Sequence, residues 1–439
     1  VVPRQRWRVI DNGRAITRDG GFAAGRIYEL VYRATDPAVV GLGLAAIRDT
    51  MALARYDEEC PFAVERGFAL GISQTGRFLR HFLYQGFNTD ERGRKVFDGL
   101  LVNTAGAGRG SFNHRFGQPS RDAHRYSAFF YPTDLYPFSG RAQRDPITGR
   151  REGLLDRVRA AGHAPRVFYS NTGYEYWGRA ASLLHTSLDG SADVEPLPSV
   201  RIYHLASCQH FPIPFDTDRF ESLPGADGFR GNPIDFLTIG RALVAAMQEW
   251  IEKDIPPPPS AYPRIDDGTL VPIDSVGFPS IPGIAFPRVI HEAYRADYGP
   301  RFATGIVDRQ PPVLGPAFPS LVSQVDGDGN EVAGIRPVEV QVPLATYTPW
   351  HVRERLAGGN GELTDFWGTF LPLPRNGQER QERGDPRASI AERYNSREVY
   401  LAAVEKAAQA AVQQCHLLEE DVPRVMERAG ILWDWIASR

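Results

Sequence analysis

Residues 67–76, Gly-Phe-Ala-Leu-Gly-Ile-Ser-Gln-Thr-Gly, constrain this chain more than any other stretch. Residues 67–72 form a short apolar run of strand length, and residues 75–85 carry Phe78, Leu79, Phe82 and Leu83 at helical spacing. A strand that runs straight into a helix forces the residue at the apex of the turn into strained backbone geometry. It also needs small residues two positions to either side, because strand and helix approach closely there. Gly71 and Thr75 fill those two places, with Gly76 directly after, so the apex is Ser73. Such a turn presents the Ser73 hydroxyl at a sheet edge, with a helix N-terminus behind it that favours negative charge. The Gln74 backbone N–H is then placed to donate to an oxyanion.

The surroundings fit a sheet of mostly parallel strands. Through residue 260 of the 439, strand-like and helix-like stretches alternate, the pattern of a parallel sheet covered by helices. A hairpin is expected at residues 7–17 around Asn12-Gly13, a strand at 26–32, and a helix opening at Asp36-Pro37 and running to about Tyr56. Buried strands are expected at 97–103, 166–170 and 200–206, and a helix at 233–250. Residues 104–163 form a long irregular insert, the usual size of a lid. Pro256–Pro259 is a stiff spacer. It divides a core over 1–260 from a Pro/Gly-rich extension over 261–380, with a short strand at 338–342, and from helices over 381–439 at spacings that begin at 397–417 and at Pro423.

Serine at its ordinary pKa is a weak nucleophile, so Ser73 needs a base and an acid that orients the base. On a sheet of this kind they follow in the order serine, acid, histidine, each just past a strand. The strand at 166–170 is followed by Asn-Thr-Gly-Tyr-Glu, which puts Glu175 past its carboxyl end. The strand at 200–206 is followed by Ser-Cys-Gln-His, which does the same for His210. His204 lies inside that strand, His81 sits two turns down the helix from Ser73, and His163, His291, His351 and His416 lack strand-end context. For Glu175 the competing reading is a structural ion pair with one of many arginines, and Asp216 and Asp218 are its substitutes.

At this point the residues resemble a known family, the α/β-hydrolase fold, and within it a bacterial group of alpha/beta hydrolase domain-containing proteins of poorly defined substrate. The stretches that carry the likeness are GISQTGRFLRHFLYQGFN (71–88), RKVFDGLLVNTAGAGRGSFNHRFGQPSR (94–121), YPTDLYPF (131–138) and EYWGRAASLLHT (175–186). QVDGDGNEVAGIR (324–336), PLATYT (343–348) and DPRASIAERY (385–394) follow in order, so the resemblance covers most of the chain. It implies an α/β fold, a mostly parallel sheet flanked by helices with a large lid insert and a C-terminal extension. It further implies a serine hydrolase with Ser73 as nucleophile, Glu175 as acid and His210 as base, working through an acyl-enzyme without cofactor or metal. Members of the group are longer at the N-terminus, so the chain is expected to begin part-way into the sheet; residues 32–34 or the Gly20-Gly21 turn are then candidates for a second oxyanion donor.

Carboxylic esters are the expected substrates because they are the commoner ones on this fold, an argument by analogy. Lactones, amides and acylated carbohydrates run by the same triad are alternatives, as is a catalytically inactive binding protein. His114, Arg115 and Tyr174 are expected to line the substrate cleft, against the reading of a lid that merely packs. The aromatic residues Tyr126, Phe129, Phe130, Tyr131, Tyr136 and Phe138 read as lid core, and Arg109, Arg115 and Arg121 as solvated loop charges. Asp326-Gly327-Asp328-Gly329-Asn330-Glu331 echoes a calcium loop, but its glycine comes one place early and Pro337 stands where the twelfth-position glutamate belongs, so a turn between strands is expected. With 50 basic and 53 acidic residues the chain has no general attraction for nucleic acid, and no apolar run reaches the length of a membrane span. Three cysteines without CxxC spacing argue against a disulfide framework or thiolate metal site. The chain opens at Val1 without Met, compatible with a cytoplasmic protein or one whose signal peptide has been removed.

Overall fold

The structure, a computed structural model, describes residues 1–23, 26, 28, 30, 32, 41–110, 112, 134–212, 230–309, 312–353 and 361–439. The N-terminal hairpin pairs β1 (Trp7–Ile10) with β2 (Ala15–Arg18), and its turn holds Asn12 and Gly13 at φ of 51° and 88°. Those positive φ values are what an Asn-Gly pair supplies at low cost. Of the strand expected at 26–32, only residues 26, 28, 30 and 32 are described, and none is in a strand. The first helix is α1 (Leu42–Tyr56); the start expected at Asp36-Pro37 lies outside the described residues.

The centre of the molecule is a four-stranded parallel sheet. Its strands are β3 (Phe68–Ile72), β4 (Gly99–Asn103), β7 (Arg166–Thr172) and β8 (Val200–Leu205), in that spatial order. Between β4 and β7 a small antiparallel hairpin joins β5 (Gln143–Arg144) to β6 (Arg151–Glu152), followed by a helical turn at Asp156–Ala160. These are elements hidden inside the stretch that reads as irregular from sequence; residues 111 and 113–133 of it lie outside the described set. The registers Ile72↔Asn103, Asn103↔Ser170 and Ser170↔Tyr203 bring the carboxyl ends of all four strands to one edge.

Successive side chains of a strand point to opposite faces, and β7 displays this directly. Val167 and Tyr169 enter the core formed with Leu79, Phe82 and Leu83 of α2 (Gln74–Tyr84), whereas Phe168 enters the opposite core. That second core contains Ile239, Leu243, Met247 and Trp250 of the helix α4 (Leu237–Lys253), which follows α3 (Gly173–Gly178). It also takes in Tyr400, Val404 and Ala408 of α5 (Arg397–Gln413) and Leu432 and Ile436 of α6 (Val422–Ala437). Phe82 and Leu83 are fully buried, a contribution of about 2 kcal/mol each, and this burial locks α2 against the sheet.

The extension after the Pro256–Pro259 spacer joins the sheet by backbone bonds. Along the outer side of β8, His204 N–H donates to Ala261 O (2.8 Å), Ile335 N–H to His204 O (2.7 Å) and Ala206 N–H to Ile335 O (3.0 Å). Three short antiparallel ladders follow: β9 (Leu270–Val271) with β12 (Val322–Ser323), β10 (Tyr294–Asp297) with β11 (Val313–Ala317), and β13 (Ala345–Thr348) with β14 (Thr369–Pro372). The strand expected at 338–342 is instead a helical turn, Val338–Gln341, entered from Pro337. Its alternating valines imitate a strand, but Val338 and Val340 are both buried in the core it shares with α4, α5 and α6. A short apolar segment covered on several sides carries no periodicity that separates helix from strand.

Candidate active site

The turn after β3 is held in a conformation that few residues adopt. Ser73 has φ 55° and ψ −117°, between the last residue of β3 and the first of α2. Its own N–H donates to Asn103 O at the end of β4 (2.9 Å), which ties the apex to the neighbouring strand. The close approach falls on Gly71 and Gly76. A Cβ at Gly71 would lie 2.6 Å from Thr75 O, and one at Gly76 3.0 Å from the Ala105 Cβ. Thr75 is therefore not the small residue of the turn, as the sequence suggests, but its fastener. The Thr75 hydroxyl donates to Ile72 O (2.7 Å) and accepts from Ile72 N–H (2.8 Å). Gln74 opens α2, and first-turn N–H groups such as its own have no carbonyl partner within the helix.

Glu175 is placed by a local device. The side chain reaches back to the start of its own helix, where Oε2 accepts from Thr172 N–H (3.0 Å) and from the Thr172 hydroxyl (2.5 Å). This is the reciprocal capping arrangement of a Thr-x-x-Glu sequence, and it leaves the second oxygen free to point elsewhere. That oxygen, Oε1, stands 2.5 Å from His210 Nδ1. His210 Nε2 stands 3.0 Å from Ser73 Oγ. Glu175 is fully buried and His210 is 3% exposed, so the carboxylate and the imidazole lie in a medium of low dielectric, where charge–dipole interactions are strong, whereas Ser73 is half-buried.

The His210 ring is boxed in by aromatic neighbours. Phe366 lies 4.5 Å away and tilted by 35°, Phe211 meets it edge-on at 4.6 Å, and Tyr174 edge-on at 5.7 Å. Tyr174 thus packs against the imidazole from a buried position, and its N–H donates to Cys208 O (3.3 Å). His210 N–H donates to Phe366 O (3.3 Å). His114 and Arg115, expected in the cleft, lie outside the described residues, as do Asp216 and Asp218. Residues 33 and 34 of the candidate second oxyanion donor are also outside, and the Gly20-Gly21 turn lies at the end of the N-terminal hairpin.

Several partners of this site leave no signal at the level of motifs. Ser207 adopts φ 60°, and its carbonyl accepts from Asn232 Nδ2 (2.5 Å). The Gln209 amide oxygen accepts from Asn232 N–H (3.1 Å) and Gly368 N–H (2.8 Å). Glu331, the last residue of the calcium-like stretch, meets the same loop. The turn itself is closed by Asp326 N–H to Asn330 O (2.8 Å), Arg336 pairs with Asp326 at 3.2 Å, and Arg393 pairs with Asp328. Among the described residues no cluster of three or more His, Cys, Asp or Glu side chains is arranged to hold a metal ion. Likewise no described helix is long and apolar enough to cross a membrane.

Other ionisable groups near α2 are structural. Arg109 is not a solvated loop charge but a buried one. It stacks 3.8 Å from the Tyr84 ring centre, donates to Tyr136 O (3.0 Å) and meets His81 Nδ1 at 3.3 Å, while burial lowers its guanidinium to about 10. Burial alone would raise Asp134, but the 2.7 Å hydrogen bond from His291 and the charges of His291, Arg179 and Arg77 outweigh it and hold the carboxyl at about 2. Cys208 is two residues from His210 yet no rival nucleophile. Burial, with Glu339 and Glu331 adding, pushes its thiol well above the ordinary range, and the thiolate is the reactive form.

A family model described as "Alpha/beta hydrolase domain" matches residues 21–427, nearly the whole chain, including Ser73, Gln74, Glu175 and His210. No curated protein and no solved structure matches the sequence.

Proposed function

The chain belongs to the alpha/beta hydrolase family, and on that premise we propose that it is a serine hydrolase that cleaves carboxylic esters through an acyl-enzyme on Ser73. The observation that carries the reading is the position of one imidazole, with Nε2 3.0 Å from Ser73 Oγ and Nδ1 2.5 Å from Glu175 Oε1. Both distances are within hydrogen-bond reach, the geometric requirement for a nucleophile, its base and the group that orients the base.

The steps follow from those contacts. Glu175 accepts the Nδ1–H bond, which leaves the Nε2 lone pair facing Ser73. As Ser73 Oγ attacks the ester carbonyl, its proton passes to Nε2, and Glu175 stabilises the imidazolium without taking the proton itself. The carbonyl oxygen becomes an oxyanion next to the start of α2, where the Gln74 N–H donates and the helix N-terminus favours negative charge. Collapse expels the alcohol, which leaves with the proton from Nε2. Water then attacks the acyl-enzyme with the same base, releases the carboxylic acid and restores Ser73. The positive φ at Ser73 belongs to this reading too, because strain at an apex persists only where surrounding bonds, here to Asn103 and Ile72, enforce it.

The test is covalent labelling. A fluorophosphonate probe should modify the folded protein at Ser73, located by peptide mass spectrometry, and Ser73→Ala should lose both the label and turnover of p-nitrophenyl acyl esters by about 10⁶-fold. A panel of lactones and anilides run beside the esters assigns the preferred acyl group. Folded wild-type protein that takes no label at position 73 refutes the proposal.

A further inference from the structure

We propose that Glu331, paired with His204, is a positioning residue that holds the loop bearing His210 in place; the inference rests on the triad reading above. After β8 the chain has only Ala206, Ser207, Cys208 and Gln209 in which to turn His210 back over Ser73. It does so through Ser207 at φ 60°, a left-handed conformation that is strained for a residue with a Cβ. Bonds from outside the loop must keep it there.

Glu331 supplies them in both directions. Its Oε2 accepts the Ser207 N–H (2.5 Å), and its own N–H donates to the Ser207 hydroxyl (2.8 Å). The same Oε2 stands 3.0 Å from His204 Nε2, inside β8. His204 is fully buried and Glu331 is 1% exposed, and among the described residues no arginine or lysine pairs with this carboxylate. Donors that face a buried carboxylate in this way are charge-assisted and are the strong kind.

The contact also reaches the acid. A Cβ added to Gly173, the first residue of α3, would lie 2.5 Å from Glu331 Oε2. One carboxylate therefore abuts both the turn that carries His210 and the start of the helix that carries Glu175. On the other side Gly334, at φ 84°, admits no side chain, because a Cβ there would fall 2.4 Å from His204 O. The turn from Glu331 to Gly334 is clamped to β8, and Glu331 cannot drift without moving it. A glutamate 124 residues beyond Ser207 thus sets the distance on which proton transfer depends.

The experiment compares wild type with Glu331→Ala, Glu331→Gln and Ser207→Ala, each titrated with fluorophosphonate so that rates are expressed per reactive serine. A positional error of about 1 Å costs on the order of 100-fold in rate. Glu331→Ala should lower kcat by about that factor with KM changed less than about threefold, and Glu331→Gln and Ser207→Ala by about tenfold each. A purely structural role would reduce the titratable fraction and leave kcat per site unchanged. Rates per site within twofold of wild type in Glu331→Gln and Ser207→Ala overturn the inference, and these two serve if Glu331→Ala fails to fold. Wild-type protein that is not labelled at Ser73 overturns the triad reading and this inference with it, whereas a labelled wild type with indifferent variants overturns this inference alone.

Discussion

Replacing Glu175 by glutamine separates charge from shape at the centre of the site. The side chain has two buried tasks: Oε2 accepts the Thr172 N–H (3.0 Å) and hydroxyl (2.5 Å), and Oε1 faces His210 Nδ1 (2.5 Å). A glutamine has one oxygen and one NH2 for these places. With the oxygen toward His210, the NH2 would meet the Thr172 N–H head-on, two donors in a dry site, at a cost of about 1–3 kcal/mol. With the oxygen toward Thr172 every backbone bond is kept, and the NH2 points at Nδ1. That second orientation wins, and it forces Nδ1 to be the acceptor and Nε2 to carry the proton. The proton then points at Ser73 Oγ, 3.0 Å away, and the imidazole cannot take another. The expected result is a protein within about 1 kcal/mol of wild-type stability by urea denaturation, because the cap is intact. Its kcat for a p-nitrophenyl ester should nonetheless be lower by about 10⁴, the scale of a wrong-tautomer defect, equivalent to about 5.5 kcal/mol of barrier. The rate of fluorophosphonate labelling at Ser73 should fall in parallel. A Glu175→Gln protein whose kcat/KM stays within tenfold of wild type refutes the argument, since the favoured arrangement of that amide leaves no competent base in His210.

Two further outcomes follow from packing and burial. Gly71→Ala places a methyl 2.6 Å from Thr75 O and 2.8 Å from the Leu79 Cδ1, and since the first is backbone the turn must open: a loss of about 2–3 kcal/mol in urea denaturation is expected, with slower labelling of Ser73, and unchanged stability would contradict the packing. Burial, only partly offset by the charge of Asp193, lowers the His185 imidazole from 6.5 to about 3; the folded protein then binds fewer protons than the unfolded chain, so the stability this group contributes is complete above about pH 6.5 and is lost as pH falls toward 3, at up to about 1.4 kcal/mol per unit. His185→Phe should remove about 2 kcal/mol of the difference between the unfolding free energies obtained from urea denaturation at pH 6.5 and 4.5, and an acid slope equal to that of wild type would show that His185 is not the group responsible.

How much of this was legible from residues alone depends on what sets each position. Ser73, Glu175 and His210 are far apart in the chain, His210 137 residues beyond Ser73, yet the sequence puts each just past a strand and the structure brings the three within hydrogen-bond distance. Their placement needs only that three parallel strands end together, and apolar runs reveal where strands end. The Thr-x-x-Glu pattern before α3 was a second available signal for Glu175, since a capping box fixes the glutamate's direction from three residues away. Elsewhere the local pattern misled for a physical reason. Thr75 stands where a small residue belongs, and only the space around Gly76 reveals which residue the strand must pass. Arg109 reads as a loop charge because a buried cation leaves no trace in the sequence until Tyr84 and the Tyr136 carbonyl arrive to receive it.

The calcium-like stretch carries the point furthest. Its carboxylates are the right chemical type for a cation, and which cation each one meets is decided by side chains that fold back from elsewhere: Arg336 for Asp326, Arg393, 65 residues away, for Asp328. Glu331, the last of the group, meets instead a peptide N–H and an imidazole. Sequence therefore discloses the parts of a site that backbone topology delivers, and conceals the parts that hold them still. Substitutions among the second kind should be the ones whose effects on rate look disproportionate to their distance from the reacting atoms.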